Sequence, residues 1–298
     1  MPDTSPMPNP LPSGLRWYVR LSKWLLGLAV GFWTLLLLAS LALHFLIVPR
    51  IIDWRGEIED AASKAWGVQV SIGELRSISD GWVPSFEVTD FVLRDAQNEE
   101  VLRLPKLRAS LSPASLFSLT LERIELDAPA LEVQHNADGT WRVAGIPVGA
   151  GGSSDMANWL LRQPAIQIHH GHVRWIDELQ HQPAVMLSDV NLLMRNGLRS
   201  HDWRLDVTPP TDWGQRISLQ GQCKQALLNG HASDISTWQG RVYAELPHIE
   251  LTKLAPYIQT ASGVDLQSGA GWLRVWADWN RGVWEQPTLD FNLTDVKL

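Results

Sequence analysis

The sequence predicts a mainly β protein that is held in a membrane by one N-terminal helix. Two observations lead to this fold class. Residues 24–48 form an uncharged run in which ten positions are Leu. From Val68 onward, short segments alternate apolar and polar residues with a period of two, as a half-buried strand does. These segments number about a dozen at spacings of about ten residues, which is typical of all-β structure.

The composition excludes several classes of protein. The 298 residues include 25 Lys and Arg against 32 Asp and Glu, a net charge of −7, which argues against binding to nucleic acid. Apolar residues make up 45%, which excludes intrinsic disorder for most of the chain. The one cysteine, Cys223, rules out a disulfide framework and a CxxC zinc cage, and we expect it to be a small core residue.

The uncharged run predicts an uncleaved signal anchor. A bilayer core is spanned by about 20 apolar residues, and the run is longer than the roughly 7–15 residues of a signal-peptide core. Basic and aromatic flanks favour an N-terminus in the cytoplasm. The predicted anchor segment is 16–50, with residues 1–15 as a disordered, Pro-rich cytoplasmic tail. The flanking residues of the anchor are Arg16, Trp17, Tyr18, Arg20, Lys23, Trp24 and Val48.

An amphipathic helix is predicted directly after the membrane, over residues 53–66. Asp53 is the expected N-cap, Ile58 and Ala62 recur at helical spacing, and Gly67 ends the helix. Either this helix plugs the membrane-proximal end of a domain, or it packs as an ordinary core helix. The sequence leaves both interpretations open.

Strand signals continue to about residue 148. Pro105 indicates a sheet edge or a bulge. Leu119 and Leu121 predict a short strand, followed by a phase slip at Arg123. Residues 136–139, Asn-Ala-Asp-Gly, predict a hairpin turn.

The second half of the chain begins with a short helix, predicted over residues 155–162, before strand signals resume. A turn is expected near Gly171, and apolar residues on either side of Asp189 are offset by a phase slip. The chain beyond the membrane is therefore divided into a helix-plus-β region at 51–148, a Gly/Ser linker at 149–154 and a β region at 155–298.

Three segments carry a family resemblance. The run LPKLRASLSPASLFSLTLERIELDAPALEVQHNADGTWRV at 104–143 is similar to the N-terminal region of the AsmA-like envelope proteins. NWLLRQPAIQIHHGHVRWIDE at 158–178 and VMLSDVNLLMRN at 185–196 resemble, more narrowly, the YhdP branch. The resemblance extends from residue 16 to residue 298. Because proteins of this branch are usually far longer, and because the chain ends within a predicted strand, we expect it to be the N-terminal part of a longer protein.

The resemblance implies a long, strongly twisted antiparallel sheet that forms an open groove of the bridge-like lipid-transfer type. It implies transport of phospholipid between the inner and outer membranes of Gram-negative bacteria, by a single-pass inner-membrane protein whose bulk is periplasmic. The geometry of a strand is consistent with such a groove, because a strand can present one apolar face and one face in contact with water. Each buried CH₂ group contributes about 0.8 kcal/mol. Neither a catalytic residue nor a cofactor is expected.

The candidate groove residues are apolar members of the alternating segments, although the phase slips leave open which of them face the groove. They are Leu119, Leu121, Leu131, Val133, Ile166, Ile168, Val173, Trp175, Leu205, Val207, Ile217, Leu219, Leu273 and Val275. The expected partners are phospholipid acyl chains, the inner membrane and envelope proteins, but not nucleic acid. The alternative function is a non-enzymatic envelope assembly or scaffold protein, which predicts a filled core and no lipid. An enzyme is the third hypothesis, for which no G-x-S-x-G or similar motif is present.

Three histidines, His169, His170 and His172, invite a zinc hypothesis with Asp177 as a further ligand. Exposed histidines beside a turn are the favoured interpretation, so no metal site is predicted. The Gly/Ser run at 149–154 lacks the Gly-Lys-Ser/Thr of a phosphate loop, so it is predicted to be a linker.

Four tryptophans lie close together near the end of the chain. Trp272 and Trp276 share one strand face, Trp279 lies on the other, and Trp284 follows. This cluster predicts either a lipid or carbohydrate platform or packing within a sheet, and packing is favoured.

Overall fold

The structure, a computed structural model, describes most of the chain from Ser13 onward. The described residues are 13–47, 50, 52–78, 84–94, 98–113, 115–118, 120–148, 155–226, 232, 234–253, 255 and 268–297. The predicted linker at 149–154 and two predicted site residues, Val48 and Leu119, lie outside them, as do residues 1–12 of the predicted tail.

The N-terminal helix α1 spans Ser13–Ala42 and continues as a π-helical turn, Leu43–Ile47. Within the described chain, Arg20–Ile47 is the one helical segment long and apolar enough to cross a membrane. None of its most apolar window is buried in protein, so its Leu-rich surface is available to lipid. Trp17 and Tyr18 are exposed at its beginning, with ring centroids 5.1 Å apart, where an interfacial aromatic belt is expected.

Helix α2 spans Arg55–Trp66 and lies along the first strand of the sheet. Gly67 ends it in the left-handed conformation, with φ of 67°, and the Gly67 N–H donates to the Ser63 carbonyl. The predicted helix and its end are confirmed. The predicted N-cap, Asp53, is wrong, because Trp54 holds the N-cap position and no side chain bonds the first turn within the described residues.

The described chain contributes fourteen strands to one sheet. They are β1 Gln69–Ser77, β2 Ser85–Arg94, β3 Glu100–Ser110, β4 Arg123–Asp127, β5 Ala130–His135, β6 Trp141–Val143, β7 Ile146–Val148, β8 Ala165–Asp177, β9 Gln182–Asn196, β10 Ser200–Thr208, β11 Ile217–Lys224, β12 Gln239–Glu250, β13 Ser268–Asn280 and β14 Val283–Lys297. The described chain also contains two short helices, α3 Ser115–Ser118 and α4 Asp155–Leu161, a 3₁₀ turn, Ile235–Thr237, and helical residues at 251–253.

Within the described residues the sheet is open, and β1 and β14 are its edge strands. Its main path runs β1-β2-β3-β4-β8-β9-β10-β11-β12-β13-β14, and β5, β6 and β7 branch off beside it. Neighbours on the path are antiparallel, except that β4 and β5 both run parallel to β8. The predicted mainly β fold and open antiparallel sheet are confirmed. Strands from both sides of residues 149–154 belong to this one sheet.

A crease crosses neighbouring strands and accounts for the phase slip predicted at Asp189. Asp90, Ala128, His170 and Asp189 all have positive φ, between 45° and 54°, and on each strand the apolar residues change from even to odd numbers, or the reverse, at that point. Each positive-φ residue shifts the in-and-out alternation of its strand by one residue. Because the shift occurs at the same level on each of these strands, the apolar side chains stay on one face across the crease. Such kinks also strengthen the local twist of a sheet.

Three strand predictions can be compared with this crease. The slip at Asp189 is confirmed. Pro105 lies opposite the positive-φ residue Asp90, but β2 and β3 keep one register across this point, so the bulge hypothesis is wrong. The turn near Gly171 is wrong, because β8 continues through this point and only bends there. The strand at Leu121 is also wrong. This residue lies between α3 and β4, where its N–H donates to Gln163 Oε1 at 2.7 Å.

Candidate functional site

An unbroken row of apolar side chains crosses the whole sheet, and we call it the apolar row. Each member is the direct cross-strand partner of the next, so all point to the same face. The row is Leu75, Val88, Leu107, Leu126, Ile168, Leu192, Leu205, Leu219, Ala244, Val275 and Leu289. It holds one residue from every strand of the main path. At about 4.8 Å per strand spacing, the row is roughly 48 Å long.

A second row runs beside the first and shares its face, which we call the apolar face. It contains Phe86, Ala109, Ile124, Ile166, Met194, Trp203, Gly221, Val242 and Ala277. Trp203 lies over Gly221, where a Cβ atom would stand 2.5 Å from Trp203 Cε2. Glycine is needed at this position because the indole occupies the space above it.

The apolar face contains every predicted groove residue that lies in a described strand. Ile168, Leu205, Leu219 and Val275 belong to the apolar row itself. The others lie beside it on the same face: Leu131, Val133, Ile166, Val173, Trp175, Val207, Ile217 and Leu273. Leu121 does not belong to the face, because it lies outside the strands.

The first strands of the apolar face are covered by helices. Ala62 and Trp66 of α2 pack against Val70 and Leu93, and Ile58 packs against a neighbouring cluster that contains Val88. Helix α4 adds to this cover, since the rings of Trp66 and Trp159 are 5.4 Å apart. Of the two interpretations that the sequence left open, packing against a core is confirmed, and a plug at the membrane-proximal end stays a prediction. Helix α2 covers the end of the apolar face nearest the membrane anchor in sequence.

Beyond these strands the apolar face is less covered. Leu192, Leu205 and Leu219 are half-buried. Leu251, in the described helical residues 251–253, covers part of the face at β11–β14, where it packs with Ile217, Ala244 and Leu273. The exposure rises toward the last edge, where Leu289 and Phe291 are 55% and 56% exposed. Among the described residues, the face is thus covered at β1–β3 and most exposed at β14.

One side of the apolar face ends in a buried polar cluster that sequence reasoning missed. His201, 2% exposed, stacks on Trp238 at 4.0 Å, and its Nδ1 lies 2.8 Å from Asn196 Oδ1. Asn196 Nδ2 in turn donates to the carbonyl of the fully buried Gln163. Burial lowers the pKa of His201. Within the described chain, His201 Nε2 and Trp238 Nε1 have no hydrogen-bond partner.

The opposite face, called here the polar face, carries the intervening residues of the same strands. One of its rows is Leu193, Arg204, Gln220, Tyr243, Trp276 and Thr288, in cross-strand order. Arg204 pairs with Asp206 at 2.9 Å, and Arg274 pairs with Glu245 at 3.1 Å. These charged side chains make this face suited to contact with water. The sheet thus carries apolar side chains on one face and polar side chains on the other.

Asp189 anchors the crease on the polar face. Its carboxylate lies 3.0 Å from His170 Nδ1, pairs with Arg216, and accepts from Asn191 Nδ2. The hydrogen bond from His170, followed by those from Asn191 and Arg216, lowers the pKa of Asp189 to about 2. A phase slip in the sequence marked this position but did not reveal its partners.

The three neighbouring histidines do not converge on one point. His170 bonds Asp189, His169 lies 3.3 Å from Gln167 Oε1, and Asp177 is instead buried on the apolar side with His135 at 3.3 Å. Among the described residues, no group of three or more His, Cys, Asp or Glu side chains could hold a metal ion.

Comparison with known protein families gives one match. The family model described as YhdP protein matches residues 1–298, which is the entire chain. Neither the curated proteins nor the solved structures contain a match to this chain.

Proposed function

Because this chain belongs to the YhdP protein family, we propose that it is a membrane-anchored periplasmic module of a bridge-like phospholipid transporter. In this proposal α1 holds the chain in the inner membrane, with the N-terminus in the cytoplasm and the sheet in the periplasm. Acyl chains lie along the apolar face, and head groups remain in water. The proposal involves no catalytic step and no cofactor.

The apolar row is the observation that carries the proposal. Its direction is perpendicular to the strands, so a lipid that moves along it passes from one strand to the next. Neighbouring positions are chemically alike, for example Leu192, Leu205 and Leu219. Each CH₂ group kept out of water contributes about 0.8 kcal/mol at every position. A chain that slides by one strand therefore gives up one set of contacts and gains an equivalent set.

The anchor supports the proposed location. Its exposed Leu-rich surface suits a bilayer, and Arg20 and Lys23 near its beginning favour a cytoplasmic N-terminus. The residues that follow the anchor carry a net negative charge, which suits a soluble periplasmic region. The orientation can be tested by fusing a reporter enzyme that is active only in the periplasm after Leu298.

A scaffold that binds envelope proteins is the second candidate. The observation that favours it is β14, an edge strand of the described sheet, on which Trp284, Leu289 and Phe291 are all more than half exposed. An unpaired strand with exposed apolar residues readily pairs with another chain. This candidate predicts protein adducts at β14 and no lipid on the apolar row.

In-cell photocrosslinking tests the proposal with three matched pairs of positions. A photoreactive residue replaces Val133, Ile168 or Leu219 on the apolar face, and Glu132, Gln167 or Gln220 serves as the neighbouring control on the polar face. We expect covalently attached phospholipid for the first set and none for the second. Protein adducts without lipid at all six positions would contradict the transport proposal and favour the scaffold.

A further inference from the structure

The polar face contains a depression that the transport proposal does not use. Its volume is about 640 Å³, and it lies across β9–β14 on the side opposite the apolar row. This volume lies within the roughly 300–1,000 Å³ typical of small-molecule sites. The side chains that matter most to its chemistry are Arg195, Arg241, Gln220, Gln222, Tyr243 and Trp276.

Two aromatic rings form an apolar patch within this otherwise polar surface. Tyr243 and Trp276 are direct cross-strand partners, with ring centroids 5.2 Å apart. Trp276 is 41% exposed, although an indole in a sheet is usually covered by its neighbours. Tyr and Trp rings have an apolar face and a polar group at the edge. They therefore suit a ligand that has an apolar face and polar groups around it. The C–H face of a pyranose has this character.

Charged and amide side chains lie beside the aromatic patch in one cross-strand line. The line runs Arg195, Asp202, Gln222, Arg241 and Asp278. Neither Arg195 nor Arg241 forms an ion pair with a described carboxylate, in contrast to Arg204 and Arg274, which do. A guanidinium without an internal partner is suited to bind a carboxylate, sulfate or phosphate group with two parallel hydrogen bonds.

The remaining polar groups suit hydroxyl groups. Gln220 and Gln222 each offer an amide that can donate and accept, and the carboxylates of Asp202 and Asp278 accept. Arg195 and Arg241 line the depression without a described ion-pair partner, whereas the third arginine there, Arg204, is paired with Asp206. Arg195 and Arg241 are three strand spacings apart, roughly 14 Å, which favours an oligomer over a single sugar.

We infer that this depression binds an acidic oligosaccharide. One pyranose ring stacks on Trp276 and Tyr243, the acidic groups of the chain bind Arg195 and Arg241, and the Gln and Asp side chains bond its hydroxyl groups. The site lies on the opposite face from the apolar row, so the inference does not rest on the proposed function. Since the attraction is between exposed charges, binding weakens as the salt concentration rises.

The test uses the full chain in detergent micelles with trigalacturonate as the probe and maltotriose as its uncharged counterpart. Binding is followed by titration calorimetry and by tryptophan fluorescence. The variants are Trp276→Ala and Arg241→Gln. The control, Arg174→Gln, changes an arginine on β8 that is paired with Glu132 at 3.2 Å. Thermal unfolding and the phospholipid content of each variant verify that the fold and the apolar face are intact.

We expect trigalacturonate to bind more tightly than maltotriose. Each site variant should weaken its binding by about tenfold, as loss of a charge-assisted or stacking contact does, while Arg174→Gln does not. Equal binding of the two sugars would overturn the assigned role of the arginines. No binding of either sugar to the folded chain, or binding that neither site variant weakens, would overturn the site.

Discussion

At the scale of single residues, two polar side chains, Asp189 and His201, lie where the sheet bends and where one side of the apolar face ends. Asp189 holds the crease through His170 and Arg216, and His201 closes one side of the apolar face against Trp238. Asp189 and His201 each have a lowered pKa, the first because of its hydrogen bonds and the second because of burial. Their contributions to stability therefore depend on pH, and in both cases stability is lost as the pH falls.

Asp189→Asn tests the anchor of the crease. The folded-state pKa of Asp189, about 2, lies below its ordinary value of 3.8, so its stabilising effect is complete above pH 3.8 and disappears as the pH falls toward 2. We expect the variant to have a lower Tm than the wild type at pH 7, and the difference to shrink below pH 3.8. Scanning calorimetry measures both. Asp290→Asn, at an exposed site on β14, is the control, and an equal loss there would contradict the assigned role.

His201→Phe tests the buried end of the apolar face. Burial lowers the pKa of His201 below its ordinary value of 6.5, so the unfolded chain binds a proton more readily than the folded chain. The stabilising contribution of neutral His201 is therefore present above pH 6.5 and is lost as the pH falls below it. Phe can still stack on Trp238 but cannot titrate. We therefore expect the Tm of the variant to fall less than the wild-type Tm between pH 7.5 and pH 5.5. Equal slopes for the two proteins would exclude a role for His201 titration.

At the scale of elements, helix α2 protects the free edge of β1. The N–H groups of Val70 and Ile72, which point away from β2, donate to Ser63 Oγ at 2.9 Å and Glu59 Oε1 at 2.6 Å. Arg55 donates to the Gly73 carbonyl at 2.6 Å. The helix thereby occupies hydrogen-bonding groups that would otherwise pair with another strand.

Glu59→Ala removes one of these edge contacts. Loss of a hydrogen bond to a charged acceptor lowers the free energy of unfolding by about 1.5–3 kcal/mol, and the freed N–H of Ile72 makes the edge more prone to pairing. We expect a lower urea midpoint with an unchanged slope, together with faster aggregation by light scattering. The matched control is Glu57→Ala on the same helix. If both variants aggregate at the wild-type rate, α2 does not protect this edge.

The elements also show how far the sequence could predict the fold. The uncharged run identified α1, and apolar periodicity identified α2 and the mainly β character, because each depends on local sequence. The open sheet was implied by the family resemblance and not by periodicity. The crease could not be predicted as a single feature, since its members His170 and Asp189 are brought together only by cross-strand pairing. For this reason a bend at Gly171 looked like a turn. The polar cluster at His201 was missed for the same reason, because its partner Trp238 is distant in the chain.

At the scale of the whole molecule, the arrangement of the sheet turns many weak local patterns into one continuous surface. No single strand predicts the apolar row, because a shift of one residue in any strand would move its side chain to the other face. The row exists because the registers of all eleven strands of the main path agree. A single polar substitution in the row should therefore affect the continuity of the whole apolar row. The same substitution at the next residue along the strand, which points to the polar face, should not.

Leu219→Glu and Gln220→Glu form this comparison at the middle of the row. Both variants add one negative charge to β11, the first on the apolar face and the second on the polar face. A carboxylate at Leu219 draws water into the row, and each CH₂ group displaced from the face loses about 0.8 kcal/mol. We expect Leu219→Glu to reduce the phospholipid that copurifies with the protein to less than about half, as an acyl chain needs several such contacts, and Gln220→Glu to leave it unchanged. Quantitative lipid mass spectrometry of proteins with matched thermal stability measures the effect. If the two variants lose lipid equally, charge rather than position controls binding, and the apolar row is not the path of the lipid.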